Sequence, residues 1–425
     1  MGHIATESRS YHLLQQRLDR NITGAPYAPV FISILKLLFS EEEADLARRI
    51  PLRPTPLPKL ARKLGIPEAD LADKLGRMAE RGLVFDAEHN GRRYVVLAPV
   101  VIGFFEFIFM RSRDDLPLAE LARLFEEYMM QDDRFAHSVF EGSTQLGRSL
   151  VREEALPTGD YSEILDWERA TRIIEQSSAA AVSLCACRHK ASHLGKACGH
   201  DQLTCLTLNN GAETLIKNGF ASRVSTEKAL EIIHNCKQAG LAQIADNVRY
   251  GVGYICNCCG CCCGMIQAMK TFSMRGAVVS SNWLAAIETQ RCRSCGACAS
   301  ACPVGAISVS SNQLPGHAAR QVSVDKDLCL GCGVCHTSCR FSAIFMKPRP
   351  KRVFTPETTF DKFVAMAVER GKLANLIFDD PDKLSHRALG RIAQWLERSS
   401  PIQRLLANES VKSTFIQTLT SYAKR

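Results

Sequence analysis

The feature that most constrains this chain is where its cysteines fall. Of 425 residues 19 are cysteine, none before Cys185 and none after Cys339. Eleven lie between Cys185 and Cys263, and eight between Cys292 and Cys339. Such confinement assigns them to sites and not to general core filling. The odd total argues against a purely disulfide framework, and the fraction is far below that of a disulfide-stapled scaffold. Shifting the chain by 37 positions, 292 onto 329, lays CRSCGACASACPVGAI (292–307) over CLGCGVCHTSCRFSAI (329–344). All four cysteines, the glycine after the second and the closing Ala-Ile coincide.

Each copy has the form C-x2-C-x2-C-x3-C. Three cysteines on one tight loop face three corners of an iron–sulfur cubane, and the fourth, at the start of the following helix, points elsewhere. The pattern resembles that of bacterial two-cluster ferredoxins over about residues 288–347. The resemblance implies that Cys292, Cys295 and Cys298 hold one [4Fe–4S] cluster with Cys339, and that Cys329, Cys332 and Cys335 hold a second with Cys302. Gly296 and Gly333 are expected to bring the backbone close to the clusters and to offer amides to their sulfurs. One departure is that Pro303 follows Cys302 whereas Arg340 follows Cys339, and a cation there is expected to raise its cluster's potential. Zinc knuckles are the competing reading, but they use C-x2-C pairs separated by longer gaps. The chemistry supported is one-electron transfer, since nothing in the block supplies a nucleophile or general base.

Upstream, residues 185–205 read CACRHKASHLGKACGHDQLTC and residues 256–263 read CNCCGCCC. Successive extended residues point to opposite faces, so six neighbouring side chains cannot all aim at one metal. Cys256, Cys258, Cys259, Cys261, Cys262 and Cys263 are therefore expected to divide between sites shared with Cys185, Cys187, Cys198 and Cys205. Ten cysteines serve two four-thiolate sites with two left over. Soft thiolate ligation selects iron–sulfur, zinc or copper(I). Beside the repeat, one or two further iron–sulfur clusters are expected, with structural zinc and redox-active dithiols as alternatives. His189, His193 and His200 read as solvated or hydrogen-bonded residues and not as ligands. Cys236 falls on one helical face with Ala229, Ile232 and Ile233 and reads as a small buried hydrophobe. The arrangement from C-x-C-R to the paired motif, about 185–347, resembles multi-cluster ferredoxin-type proteins of anaerobic bacteria. That resemblance implies additional clusters and electron transfer.

The cysteine-free front carries a different pattern. Pro29–Phe39 reads as an apolar helix, and Ser40 caps the next one with Glu43 in a capping box. Pro58–Leu64 and Glu68–Arg81 read as a helix–turn–helix, and Leu83–Phe85 with Tyr94–Leu97 as a hairpin. The order resembles the winged-helix domain of bacterial regulators over about 70 residues. DNA binding is not expected, because Glu68, Asp70, Asp73 and Glu80 outweigh Lys74, Arg77 and Arg81, and phosphate neutralisation needs the opposite balance. A structural or protein-docking module is expected instead. Ile102–Met110 packs four phenylalanines into nine residues. With the amphipathic Leu116–Met130 it either offers a face to a partner or covers the middle of the chain.

The tail, residues 347–425, holds 15 Lys/Arg and 8 Asp/Glu and reads as helices at Phe360–Arg370, Lys383–Arg398 and Pro401–Thr420. KPRPKR at 347–352 reads as a basic hinge. The whole chain is +9, with Lys+Arg 53 and Asp+Glu 44, but thiolates inside anionic clusters would offset much of that excess. Met1–Leu14 shows no targeting segment, and the run Val95–Met110 is too short and broken to span a bilayer. No dinucleotide fingerprint, phosphate-binding lysine loop or nucleophile elbow is present in the sequence.

The expected fold class is α+β and mostly helical. It comprises a winged-helix-like domain (1–135), a Cys-rich cluster-binding domain (136–275), a 2[4Fe–4S] ferredoxin domain (276–348) and a helical C-terminal region (349–425). The expected function is cytoplasmic electron transfer with a redox partner protein, without nucleic acid, membrane span, flavin or NAD. Two alternatives stand beside it. One is a redox-sensing winged-helix regulator, the other an iron–sulfur reductase with a substrate-binding cluster in the middle domain.

Overall fold

In the front region, Pro29–Leu38 forms a helix that buries Phe31, Ile34, Leu35 and Leu38. The capping box at its end is formed: the Glu43 amide donates to Ser40 Oγ at 3.2 Å, and the Ser40 amide donates to the Glu43 carboxylate at 2.9 Å. Helix Glu41–Arg49 follows, then a short strand Thr55–Pro56 and helices Leu57–Leu64 and Glu68–Glu80. Gly65, left-handed at φ 67°, turns the chain between those two helices. Strands Val84–His89 and Arg92–Leu97 form the hairpin, and Thr55–Pro56 joins its second strand to make a three-stranded sheet. The computed structural model describes residues 2–89, 91–156, 166–314, 317–379 and 389. The expected helices at Lys383–Arg398, apart from residue 389, and Pro401–Thr420 lie outside the described residues.

The aromatic segment does not form an outward face. Phe104, Phe105, Phe107 and Phe109 are all buried. They pack around Phe125 of helix Leu118–Met130 and reach Phe85 and Phe220, the last contributed by the middle of the chain. The covering role is the one realised, and Ala186, Leu215 and Phe220 belong to the same core as the front helices.

The middle region is built on a six-stranded antiparallel sheet. In spatial order its strands are Gly147–Ser149, Ala242–Asp246, Tyr254–Cys258, Leu203–Leu208, Ala180–Leu184 and Ser222–Val224. Helix Thr226–Gln238, started by Ser225 whose Oγ accepts the Lys228 amide, covers part of it and buries Ala229, Ile233 and Cys236. Helix Thr359–Glu369 from the tail is fastened to this sheet by Lys362, whose ammonium pairs with Asp246 with both side chains buried. Farther along, Arg17 of helix Gly2–Asp19 and Asp379 of the tail form a second buried pair.

The last unit consists of two antiparallel ladders. Trp283–Ile287 pairs with Ile344–Pro348, and Ile307–Leu314 pairs with His317–Val324. Two short helices, Ala297–Ala301 and Val334–Thr337, lie between the strands. The fold is α+β, and no described helix is long and apolar enough to cross a membrane.

Candidate metal centres

The repeated motifs give matching local structures. Gly296 and Gly333, left-handed at φ 82° and 80°, each turn the chain into a short helix that carries the third cysteine. Each fourth cysteine accepts an amide from four residues on, Ala306 to Cys302 Sγ at 3.2 Å and Ala343 to Cys339 Sγ at 3.4 Å. These are the alanines of the repeated Ala-Ile, which accounts for their recurrence. Cys292 Sγ likewise accepts the Ser294 amide at 3.4 Å. Such donors suit a sulfur that carries negative charge.

The electrostatics cross between the two copies. Burial pushes the Cys332 thiol up to about 12, and nearby Cys302 and Cys329 push the same way. Cys335 is raised by burial and then by Cys332, Cys329 and Cys302. Cys298 is raised by burial, with contributions from Cys292 and Cys339. Each fourth cysteine thus lies within electrostatic reach of the other copy's cysteines.

The ten middle cysteines separate into a group of four and a group of six. In the strand Tyr254–Cys258, alternation puts Cys256 and Cys258 on one sheet face and Asn257 on the other. Asn257 is buried, donating to the Thr204 carbonyl at 2.8 Å and accepting from Gln243 at 3.0 Å. The neighbouring strand pairs Leu206 with Ile255, so Cys205 comes opposite Cys256 in the same register. Cys263 precedes helix Gly264–Thr271, and Cys185 precedes helix Ala186–His193, which carries Cys187 in its first turn.

Sulfur contacts link these six in the order Cys185, Cys187, Cys263, Cys258, Cys256, Cys205. Cys187 and Cys258 both support negative charge on Cys263, whose thiol is drawn down to about 5, while Cys258 is pushed well up. Cys256 and Cys263 are thus the sulfurs on which negative charge collects, while their neighbours Cys205, Cys258 and Cys187 keep their protons until a metal displaces them.

Between strand and helix, the loop folds the other way. The Sγ atoms of Cys259, Cys261 and Cys262 gather with that of Cys198, all within 4.8 Å of one another. Cys236 lies in the same small core as Cys259 and Cys262 but not in that ligand set, and burial raises its thiol to about 11, as suits a neutral hydrophobe. His189 and His193 face each other, Nε2 to Nε2 at 3.3 Å, and His189 Nδ1 lies 2.8 Å from the Phe109 carbonyl.

Two arginines tie the centres together, neither singled out by the sequence patterns. Arg188 is fully buried between the two middle groups. It donates to the Asn257 carbonyl at 3.0 Å and to Thr204, with Cys259 Sγ at 4.0 Å. Burial opposes its charge, but Cys185 and Cys259 hold it, and its pKa is raised overall. It follows C-A-C directly, so the signal for it was its place beside two cysteines. Arg152, also fully buried, donates its backbone amide to the Cys332 carbonyl at 3.1 Å and its guanidinium to the Leu241 carbonyl at 3.0 Å and to Thr337. It clamps the ferredoxin-like repeat to the middle sheet. The loop of cysteines makes the second junction: a Cβ on Gly260 would lie 2.5 Å from the Pro303 carbonyl oxygen, so only glycine permits this approach. Cys258 and Cys263 share one apolar core with Cys298, Cys329, Cys332 and Cys335.

The six-cysteine group borders a cavity of about 640 Å³. Apolar side chains of the front, among them Phe105, Met129, Met130 and Phe135, form much of its wall. Glu106 lies on the same wall. Burial raises its carboxyl to about 8 against the Gly103 amide that donates to it at 2.8 Å, and Cys256 adds to the rise. Its only sequence signal was a charge interrupting an apolar run.

Comparison with known proteins speaks to one part of the chain. Residues 291–362 match the 4Fe-4S dicluster domain family. This segment is a ferredoxin-type iron–sulfur domain. No curated protein and no solved structure matches the chain. The eight motif cysteines fit the groups such a domain carries: they are thiolate donors only, reached by backbone amides at Cys292, Cys302 and Cys339. An iron–sulfur electron-transfer function follows at this level.

Proposed function

We propose that the chain is a multi-cluster electron carrier that passes single electrons to or from a partner oxidoreductase in the cytoplasm. In this reading Cys292, Cys295, Cys298 and Cys339 hold one [4Fe–4S] cluster, Cys329, Cys332, Cys335 and Cys302 hold a second, and the six-cysteine group holds a further iron–sulfur centre. Such clusters supply one-electron oxidation and reduction. The protein's own part is to place charge and exclude water. Buried Arg152 and Arg188 put cations beside the thiols, and amides reach Cys302 and Cys339. The observation that carries the reading is the junction at Gly260 and Pro303, where the middle loop meets the backbone beside Cys302.

The four-part division at 135, 275 and 348 belongs to this proposal, as does a winged-helix-like front that serves docking and not DNA. Three of its cations are already engaged: Lys74 pairs with Glu42, Arg81 with Glu43, and Arg93 with Asp86 at 2.9 Å. The test is an anaerobic count of iron and acid-labile sulfide. Two cubanes contribute about 8 Fe per chain, and the proposal expects more than that. A value of about 8 Fe or fewer removes the middle iron–sulfur centre.

The cavity favours a second reading, in which the six-cysteine centre reduces a small apolar substrate. Its volume falls within the range of about 300–1,000 Å³ typical of small-molecule sites. The lysines on its wall are paired, since Lys190 and Lys196 both bind Glu126, at 2.6 and 3.4 Å. An uncharged ligand suits such a wall better than an anion. Saturable binding of benzyl alcohol, weakened at least tenfold by Met130→Trp, supports this reading; equal binding of benzoate contradicts it.

A further inference from the structure

The four-cysteine group has a size that distinguishes one metal ion from a cluster. In a tetrahedral site with metal–sulfur bonds of about 2.3 Å, simple geometry puts the sulfurs about 3.8 Å apart. A cubane binds each thiolate to a different iron at the corners of a larger body, which spreads the sulfurs to about 6 Å. Here Cys198 Sγ lies 3.7 Å from Cys259 Sγ and 3.8 Å from Cys262 Sγ, and Cys261 Sγ lies 3.7 Å from Cys262 Sγ. No pair in the set exceeds 4.8 Å. The set is too tight for a cubane and matches a single tetrahedral ion.

We propose that Cys198, Cys259, Cys261 and Cys262 bind one zinc ion as a closed structural site, with no open position. Four thiolates in tetrahedral array select zinc or iron–sulfur among the common metals, and the spacing removes the polynuclear member of that pair. This takes, for one of the two groups, the structural-zinc alternative in place of the iron–sulfur clusters the sequence favours for the middle region. It does not depend on what the six-cysteine group holds.

The site has a mechanical role. Cys198 lies in the segment between helix Ala186–His193 and strand Leu203–Leu208, and its three partners lie in the loop after strand Tyr254–Cys258. Joining them fixes the loop that carries Gly260 to Pro303 and sets the spacing of Cys258 and Cys263 on either side. Arg188, near Cys259, offsets part of the −2 charge of four thiolates around a divalent ion.

The test uses the full chain purified anaerobically, with zinc and iron counted in the wild type, Cys261→Ser and Cys198→Ser. Cys261 is exposed, so its replacement leaves the apolar cores alone. The expected result is one zinc per chain, X-ray absorption at the zinc edge showing four sulfurs at about 2.3 Å, and loss of zinc with unchanged iron in Cys261→Ser. Growth with cobalt should replace zinc by an ion with the visible bands of tetrahedral thiolate cobalt(II), absent in both variants. Wild-type protein without zinc, or a loss of about 4 Fe in Cys261→Ser, overturns the assignment. A single iron in the same sulfur tetrahedron would overturn the choice of metal.

Discussion

The ferredoxin-type domain and the middle region both gather cysteines, but they do so by opposite means. In the domain, each motif delivers three cysteines from one turn, and glycine, helix and closing Ala-Ile recur at the same offsets. In the middle region, two strands, two helix starts and a loop bring together residues up to 78 positions apart, from Cys185 to Cys263. The first arrangement is set by local backbone conformation, the second by sheet register and tertiary packing. A site made locally holds just the ligands it needs. One made by the fold has room for more sulfurs than a cubane uses.

Replacing one ligand in each region tests that difference most strongly. Cys302→Ala should cost about 4 Fe per chain, because its site has no spare thiol. Cys256→Ala should lose much less, because five other thiols remain around the same volume. Equal losses, read by iron content and reduced-state EPR, would erase the contrast.

The next effect concerns how the middle sheet is held. Lys362→Ala leaves Asp246 buried without its partner, and removing one member of such a pair costs about 3–5 kcal/mol. Denaturant unfolding should show the loss, and the double variant with Asp246→Asn should recover part of it. A change below about 1 kcal/mol would place the pair with ordinary surface bridges.

Gly260→Ala probes the junction. Its Cβ has only the Pro303 backbone to displace, so a cost of about 1–3 kcal/mol is expected, together with weakened coupling between the two regions. Unaltered stability and unaltered spectra would mean that the loop and the domain merely lie near each other.

A slope with pH is the remaining effect. Glu106 has an ordinary pKa of 4.5, raised by burial to about 8, so its protonated form is the one the fold favours. That contribution is fully present below pH 4.5 and is lost as pH rises through about 8. Glu106→Gln should therefore gain on the wild type between those limits. Parallel stability curves from pH 5 to 8 would refute the burial.

How much of this was legible in the sequence follows the same division. The repeat, its glycines, the Ser40 cap, the front hairpin and the burial of Cys236 are local patterns and read directly. The separation of Cys256 and Cys258 from Cys259, Cys261 and Cys262 was foreseeable in kind from strand alternation. Their assignment to Cys205 and Cys198 was not, because it depends on pairing with strand Leu203–Leu208. Arg188, Arg152 and Glu106 act through tertiary contacts at positions no spacing rule marks. The phenylalanines of 104–109 fitted either a covering or a docking role until Phe220 and Phe125 were seen against them.

The most direct test of the central claim is a stepwise anaerobic reduction followed by EPR. If the middle region and the ferredoxin-type domain form one electron path across Gly260 and Pro303, electrons added in less than full amount should distribute over both. Their signals should then broaden or split through mutual interaction, and Gly260→Ala should weaken that interaction. Sharp, independent signals in the wild type, or a middle region that never takes up an electron, would contradict the account.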